Sequence, residues 1–182
     1  MKVEETRLHG LIVLEPEVFK DSRGFFLETY NAALYRELGI DVEFVQDNHS
    51  RSVRGTNRGL HFQTYPGQPK LVRVAYGSAW DVALDIRRSS PTFGLWDAFE
   101  LDDVSHRQLY MPVGFAHGFC AVTDVVDVVY KVGSAYDPKT ERGIAWDDSD
   151  LAIPWPTDRP LVSERDSRNP RLQDVAKDLP DW

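Results

Sequence analysis

The sequence predicts an all-β architecture: an antiparallel sandwich or jelly-roll barrel carrying only a few short helices. Three observations lead there. Apolar residues recur with period two along most of the chain, in runs rich in β-branched and aromatic side chains. Turn-forming residues break that pattern at short intervals. Only Asn31 to Leu38 reads as a helix, with Asn31 as its N-cap. Many short strands with close turns and almost no helix favour two packed sheets or a closed barrel.

In chain order, strands are expected at LIVLEP (11–16), GFFLETY (24–30), VEFVQDNHS (42–50), RGLHFQ (58–63) and KLVRVAY (70–76). They continue with AWDVALDIR (79–87), WDAFEL (96–101), RQLYMP (107–112), GFCAVT (118–123) and VVDVVYKV (125–132). Between them lie turns at Asp21-Ser22-Arg23-Gly24, Pro66-Gly67, Gly77-Ser78, Ser90-Pro91, Pro112 to Gly114 and Asp137-Pro138. A proline-rich tail over 150–182 is expected to pack on the barrel, with Ser163-Glu164-Arg165-Asp166 opening a short helical turn. No repeat, low-complexity tract or linker divides the chain, so residues 1–182 read as one domain.

Composition limits the function classes. A 42% hydrophobic, 12% aromatic chain of 182 residues can fill one core. The net charge of −8 leaves no basic stripe for a nucleic-acid backbone, although a nucleotide needs only one or two arginines. The single cysteine, Cys120, excludes an internal disulfide and reads as a small buried residue. No apolar run is long enough for a signal peptide or a membrane span, so a cytoplasmic location is expected.

Titratable residues stand out at five places. Alternation puts Gly59, His61 and Gln63 on one face of their strand and Leu60 and Phe62 on the other. The polar face looks either to solvent or into a wet lumen, and local evidence favours solvent. Lys70 opens the facing arm and shares its side with Val72 and Val74. Tyr130 shares a face with Val126, Val128 and Val132, which makes it either an inward-facing site residue or a core tyrosine whose hydroxyl reaches the rim. Asp81 and Asp85 share a face too, as supports for a site or as solvated acids. His117 lies in PVGFAHGF, which resembles the second half of the cupin signature. Metal-binding cupins pair histidines one residue apart, but here the matching place reads His61-Phe62-Gln63. About three protein ligands are needed to hold a mononuclear ion. A metal-free cupin barrel is the economical reading.

Beyond these local patterns, the chain closely resembles the dTDP-4-dehydrorhamnose 3,5-epimerases. The matching motifs are DSRGFFLETYN (21–31), FVQDNHSRS (44–52), RGLHFQ (58–63), KLVRV (70–74), DVALDIRRSSPTFG (81–94), PVGFAHGF (112–119), VVYK (128–131), ERGIAWDD (141–148) and LVSERD (161–166). They follow family order and spacing across nearly the whole chain. The resemblance implies a cupin-like antiparallel jelly roll and a cofactor-independent, metal-free isomerase of dTDP-L-rhamnose biosynthesis. It would epimerise C3 and C5 of dTDP-4-dehydro-6-deoxy-D-glucose, whose ketone acidifies the hydrogens on both neighbouring carbons.

The resemblance also assigns roles. His61 is the implied base, since an imidazole with an ordinary pKa of about 6.5 accepts protons at neutral pH. Asp166 orients it and stabilises the imidazolium. Lys70 holds the developing enolate, and Tyr130 returns a proton from the opposite face. For binding, Gln46, Asp47 and Asn48 match a loop lining the pocket, and Arg58 matches a diphosphate-binding arginine. His117, Glu141 and Arg165 match further substrate contacts, and Tyr136 would stack on the thymine. Arg23 and Glu28 match residues that the N-terminal segment, within 1–50, supplies to the partner's nucleotide site, which implies a homodimer. The chain departs from the family at Thr56-Asn57, where two apolar residues are usual, at Arg165 for lysine and at Tyr110 for tryptophan. No catalytic group is lost. Because some relatives acting on antibiotic sugars invert one carbon only, a mono-epimerase and a non-catalytic sugar-nucleotide-binding cupin stay open as alternatives.

Overall fold

The computed structural model describes residues 1–182 as two facing antiparallel sheets with a detached hairpin and a short C-terminal helix. The first sheet runs in the order β1 (Lys2–Glu5), β2 (Ile12–Glu15), β10 (Gln108–Met111), β7 (Lys70–Tyr76), β12 (Val125–Val132) and β5 (Gln46–Val53). The second runs β13 (Glu141–Gly143), β6 (Asn57–Gln63), β11 (Phe115–Ala121), β8 (Ser78–Asp85) and β9 (Trp96–Asp102). Between β2 and α1 (Ala32–Glu37), the strands β3 (Val18–Asp21) and β4 (Gly24–Leu27) pair only with each other. Asn31 caps α1 as its sequence suggests, accepting from the Ala33 and Leu34 N–H groups.

Several boundaries differ from the sequence pattern. Residues 42–45 alternate like a strand yet lie outside β5, because Val42 and Phe44 pack beside the Tyr35–Ile40 cluster around α1. The run after Gly24 leaves strand geometry at Leu27 to reach the helix cap at Asn31. β11 begins three residues early, directly after the Pro112–Gly114 turn. Four short elements, β1, β3, β13 and α2 (Leu172–Val175), gave no period-two or 3.6-residue signal long enough to detect.

The apolar residues form separate layers. Between the sheets, Val72, Val74, Ala83, Leu109, Phe115, Phe119, Val126 and Val128 fill one end of the lumen. Outside the second sheet, Leu60, Phe62, Val82 and Leu84 are covered by Leu151, Ile153, Leu172 and Leu179 from the tail. Each such side chain contributes about 1.5–3 kcal/mol on burial, so these four tail residues together hold the segment around Asp166 against the barrel. That covering also decides where His61 points. With tail on its outer face, β6 has no solvent side, and its polar face looks into the lumen rather than outward as the local pattern favoured.

A register slip then adds Arg58 to the same face. β11 pairs His117 with His61 but Phe119 with Arg58, so β6 carries one extra residue opposite Gly118. Arg58 thereby reaches the Ser52 hydroxyl, 3.0 Å away on β5. At the bulge Gly59 has φ of 118°, and a Cβ there would lie 2.5 Å from Gly118 Cα and 2.6 Å from His117 O. Backbone cannot retreat from backbone. Gly59→Ala is therefore expected to cost about 3 kcal/mol or more, read as a lower urea midpoint or loss of soluble protein. An unchanged midpoint would refute the close-approach account.

Candidate active site

The other end of the lumen is an open, polar cleft of about 640 Å³. Every site residue named from the sequence lines it except Arg23, Glu28 and Asp47. Its two walls come from different sheets. His61 on β6 and His117 on β11 face Lys70 on β7, Tyr130 on β12, and Gln46 and Asn48 on β5.

His61 meets Asp166 through Nε2, 2.5 Å from Oδ1, across 105 residues of sequence. Asp166 begins a 3-10 turn whose first N–H group is capped by the Ser163 hydroxyl at 3.0 Å. Burial raises the Asp166 pKa, but hydrogen bonds from His61, Ser163 and the Gly59 backbone outweigh it and hold the carboxyl below its ordinary range. It therefore stays ionised at neutral pH. The other His61 nitrogen has no partner in the chain and is free to exchange a proton in the cleft.

Lys70 is 6% exposed, and its ammonium donates to the His61 carbonyl at 3.2 Å. Desolvation lowers its pKa to about 8 against the pull of Glu141 and Asp81, so the cation persists at neutral pH. Tyr130 packs against the lumen cluster, and its hydroxyl bonds nothing within the chain. Its pKa is raised by burial and then by Glu141, with Arg58 opposing, which keeps the phenol protonated and able to donate. Glu141 thus acts on both groups, and it is tied to Arg165 at 2.6 Å. Tyr136 stands at the mouth, 52% exposed.

His117 is a second histidine–aspartate pair, with Nε2 2.8 Å from Asp81 Oδ2. The register pairs Phe119 with Asp81 and His117 with Ala83, so the two side chains meet diagonally. Asp81 is fully buried, and so is Asp85, which is bonded by Arg87, Ser90 and Thr92. The solvated reading of these acids is corrected: β8 is covered on both faces. No group of three His, Cys, Asp or Glu side chains converges to hold an ion.

Three named residues lie elsewhere. Gln46–Asn48 lies in strand β5, as its alternation predicts and not in the loop that the resemblance implied, and period two turns Asp47 to the outer face, where it pairs with Lys131 at 2.8 Å. Arg23 sits at the tip of the β3–β4 hairpin beside Asp21, and Glu28 accepts from Asn31 Nδ2 at 3.2 Å. That hairpin leaves Phe19, Phe25 and Phe26 more than half exposed.

Other lining residues went unnamed in the sequence. Ser50 continues the inward series of Gln46 and Asn48, so alternation alone could have found it. Gln68, Leu161 and Ser163 lie in loops that carry no such signal. Asn57, one of the departures from the family, is 1% exposed with neither amide atom bonded, and nothing in the chain offsets that burial.

A family model described as dTDP-4-dehydrorhamnose 3,5-epimerase matches residues 5–174. The dTDP-4-dehydrorhamnose 3,5-epimerase of Shigella flexneri is 47% identical over 177 residues, covering 96% of this chain and 98% of its own. That of Methanothermobacter thermautotrophicus is 49% identical over 165 residues, 89% of each chain. A Legionella pneumophila dTDP-6-deoxy-D-glucose-3,5-epimerase, crystallised with dTDP-4-keto-L-rhamnose, superimposes with a TM-score of 0.96 at 42% identity, covering 100% of this chain and 98% of that one. With that agreement in sequence, length and fold, the chain belongs to the dTDP-4-dehydrorhamnose 3,5-epimerase family.

Proposed function

We propose that this protein epimerises C3 and C5 of dTDP-4-dehydro-6-deoxy-D-glucose to give dTDP-4-dehydro-L-rhamnose, a step of dTDP-L-rhamnose synthesis. One observation carries the reading: a carboxylate-held histidine on one sheet faces a lysine and an unpartnered phenol on the other, all in one cleft. His61 takes the proton from the carbon beside the ketone while Asp166 steadies the imidazolium. The electron pair moves onto the ketone oxygen, where the Lys70 ammonium stabilises the enolate. Tyr130 delivers a proton to the opposite face of the carbon. Inversion at each carbon is complete once the tyrosyl proton is restored and His61 releases its own.

Arg58 suits the diphosphate, and Tyr136 at the mouth suits the thymine. The Arg23 and Glu28 positions within one chain, on an exposed phenylalanine-bearing hairpin, support a homodimer in which each copy completes the other's nucleotide site. The dimer is read as working in the cytoplasm, in keeping with a free, buried Cys120 and with no helix long and apolar enough to cross a membrane.

Turnover in heavy water followed by NMR is the test. Solvent label is expected at both C3 and C5. Label at one carbon makes the protein a mono-epimerase, and binding without label leaves only a sugar-nucleotide carrier. In Tyr130→Phe, label from His61 is still expected to enter while product formation falls about a hundredfold, since only the returning acid is lost. Full product formation in that variant would remove Tyr130 from the mechanism.

A further inference from the structure

Gln63 stands two residues beyond His61 on the same face of β6, at the place where metal-binding cupins carry their second histidine, and is 4% exposed. Its amide oxygen accepts the Asp137 N–H at 2.8 Å. Its Nε2 lies 3.3 Å from the Ser134 hydroxyl and 3.4 Å from the Ala135 carbonyl. The peptide groups it reaches therefore stand on either side of Tyr136. From the facing wall, Gln46 Oε1 accepts the N–H of Tyr136 itself at 3.1 Å. Gln68 and Gly67 fix the start of the same loop through the Ser134 carbonyl and hydroxyl.

The far end of the loop is closed by the Thr64 N–H on the Thr140 carbonyl at 2.9 Å and by Arg142 on the Lys139 carbonyl at 2.9 Å, and the Tyr136 hydroxyl meets Glu141. No residue from Ser134 to Lys139 is buried, so hydrogen bonds rather than core packing hold this loop. A glutamine is well suited to the task, because one side-chain tip offers an acceptor for an N–H and donors for a carbonyl. An aliphatic residue at 63 could match neither.

Accepting the functional reading above, we infer that Gln63 is a positioning residue. It ties the strand of the catalytic base to the loop of Tyr136, so that a pyrimidine nucleoside diphosphate is held in register with His61. Where a metal-binding cupin spends this position on an ion, this chain spends it on nucleotide recognition.

Thymidine diphosphate binding by calorimetry separates the two levels of the argument. Gln63→Leu is expected to bind it about tenfold more weakly, because the loop amides lose their buried partner. KM for the sugar nucleotide should rise by about the same factor, with kcat changed by less than about twofold, as when only uniform binding is lost. The effect must also run through Tyr136. Added to Tyr136→Ala, the Gln63→Leu change should weaken binding no further, whereas independent sites would add. If Gln63→Leu does not fold, Gln63→Met, of similar length and lacking the same donor and acceptor, is measured in its place. Should the unaltered protein fail to bind thymidine diphosphate, the functional reading falls. If it binds while the variant binds equally tightly, loses kcat instead, or adds fully to Tyr136→Ala, the positioning role alone is overturned.

Discussion

His61→Ala is expected to abolish proton exchange at both C3 and C5, a loss of about a thousandfold or more, because one base serves both carbons. The fold should survive. His61 contributes no apolar layer to the core, and the sheets pair through backbone groups that the substitution leaves in place. Stability should still drop, since Asp166, 4% exposed, would lose the partner that offsets its burial. A cost of about 1–2 kcal/mol, or roughly 5 °C in the melting midpoint, is the expected scale. The pH dependence has a fixed sign. The Asp166 carboxyl lies below its unfolded value, so its stabilisation is present above that value and lost as pH falls through the lower, folded one. His61→Ala should therefore narrow the stability gap between neutral and acid solution. NMR of exchange in heavy water, together with melts at two pH values, checks both halves. Near-normal label at either carbon would remove His61 as the common base.

Much of this site was legible in the sequence, and the reasons differ by residue. The inward face of β12 followed from alternation alone, because Val126, Val128 and Tyr130 repeat without interruption. The sheets themselves followed from the same period. His61 needed more. Its strand has interior on both sides, a fact that depends on Leu151, Ile153, Leu172 and Leu179 far along the chain, and no local window contains them. The pairing with Asp166 spans 105 residues and rested entirely on family resemblance until the geometry placed the two side chains together.

Arg58 was illegible to strict alternation for a different reason. The extra residue at the bulge changes the parity between positions 58 and 61, and a bulge leaves only a glycine as its trace. Asp47 shows the converse. Alternation along the strand expected at 42–50 already turns Asp47 away from Gln46 and Asn48, whereas the family resemblance grouped all three as a pocket-lining loop. The Asp81–His117 pair fell between these cases, since its acid was visible but its diagonal partner depends on a register that single strands do not reveal.

Lys70→Met is expected to raise stability while destroying activity. Burial moves the lysine from its ordinary 10.5 down to about 8, so the folded chain releases that proton before the unfolded chain does. Stability tied to this residue is therefore lowest at neutral pH and rises as pH climbs from about 8 to 10.5. At about 1.4 kcal/mol per pKa unit, the burden of the buried charge at neutral pH is about 3 kcal/mol. Leaving the His61 carbonyl without its donor returns about 1 kcal/mol of that. A net gain of about 1–2 kcal/mol in a urea titration at pH 7 should remain, falling away near pH 10. Catalysis moves the other way. Without an ammonium at the enolate oxygen, kcat should fall about a hundredfold to a thousandfold. In the unaltered enzyme the same titration should appear as loss of activity above about pH 8. Tyr130 and Cys120 do not explain such a limb, since burial pushes both to higher pH. Lys70→Arg, which does not titrate in this range, should move the limb upward while retaining part of the activity. An alkaline limb unmoved in Lys70→Arg, or a Lys70→Met protein less stable at pH 7, would show that the cleft does not hold a strained cation for the enolate.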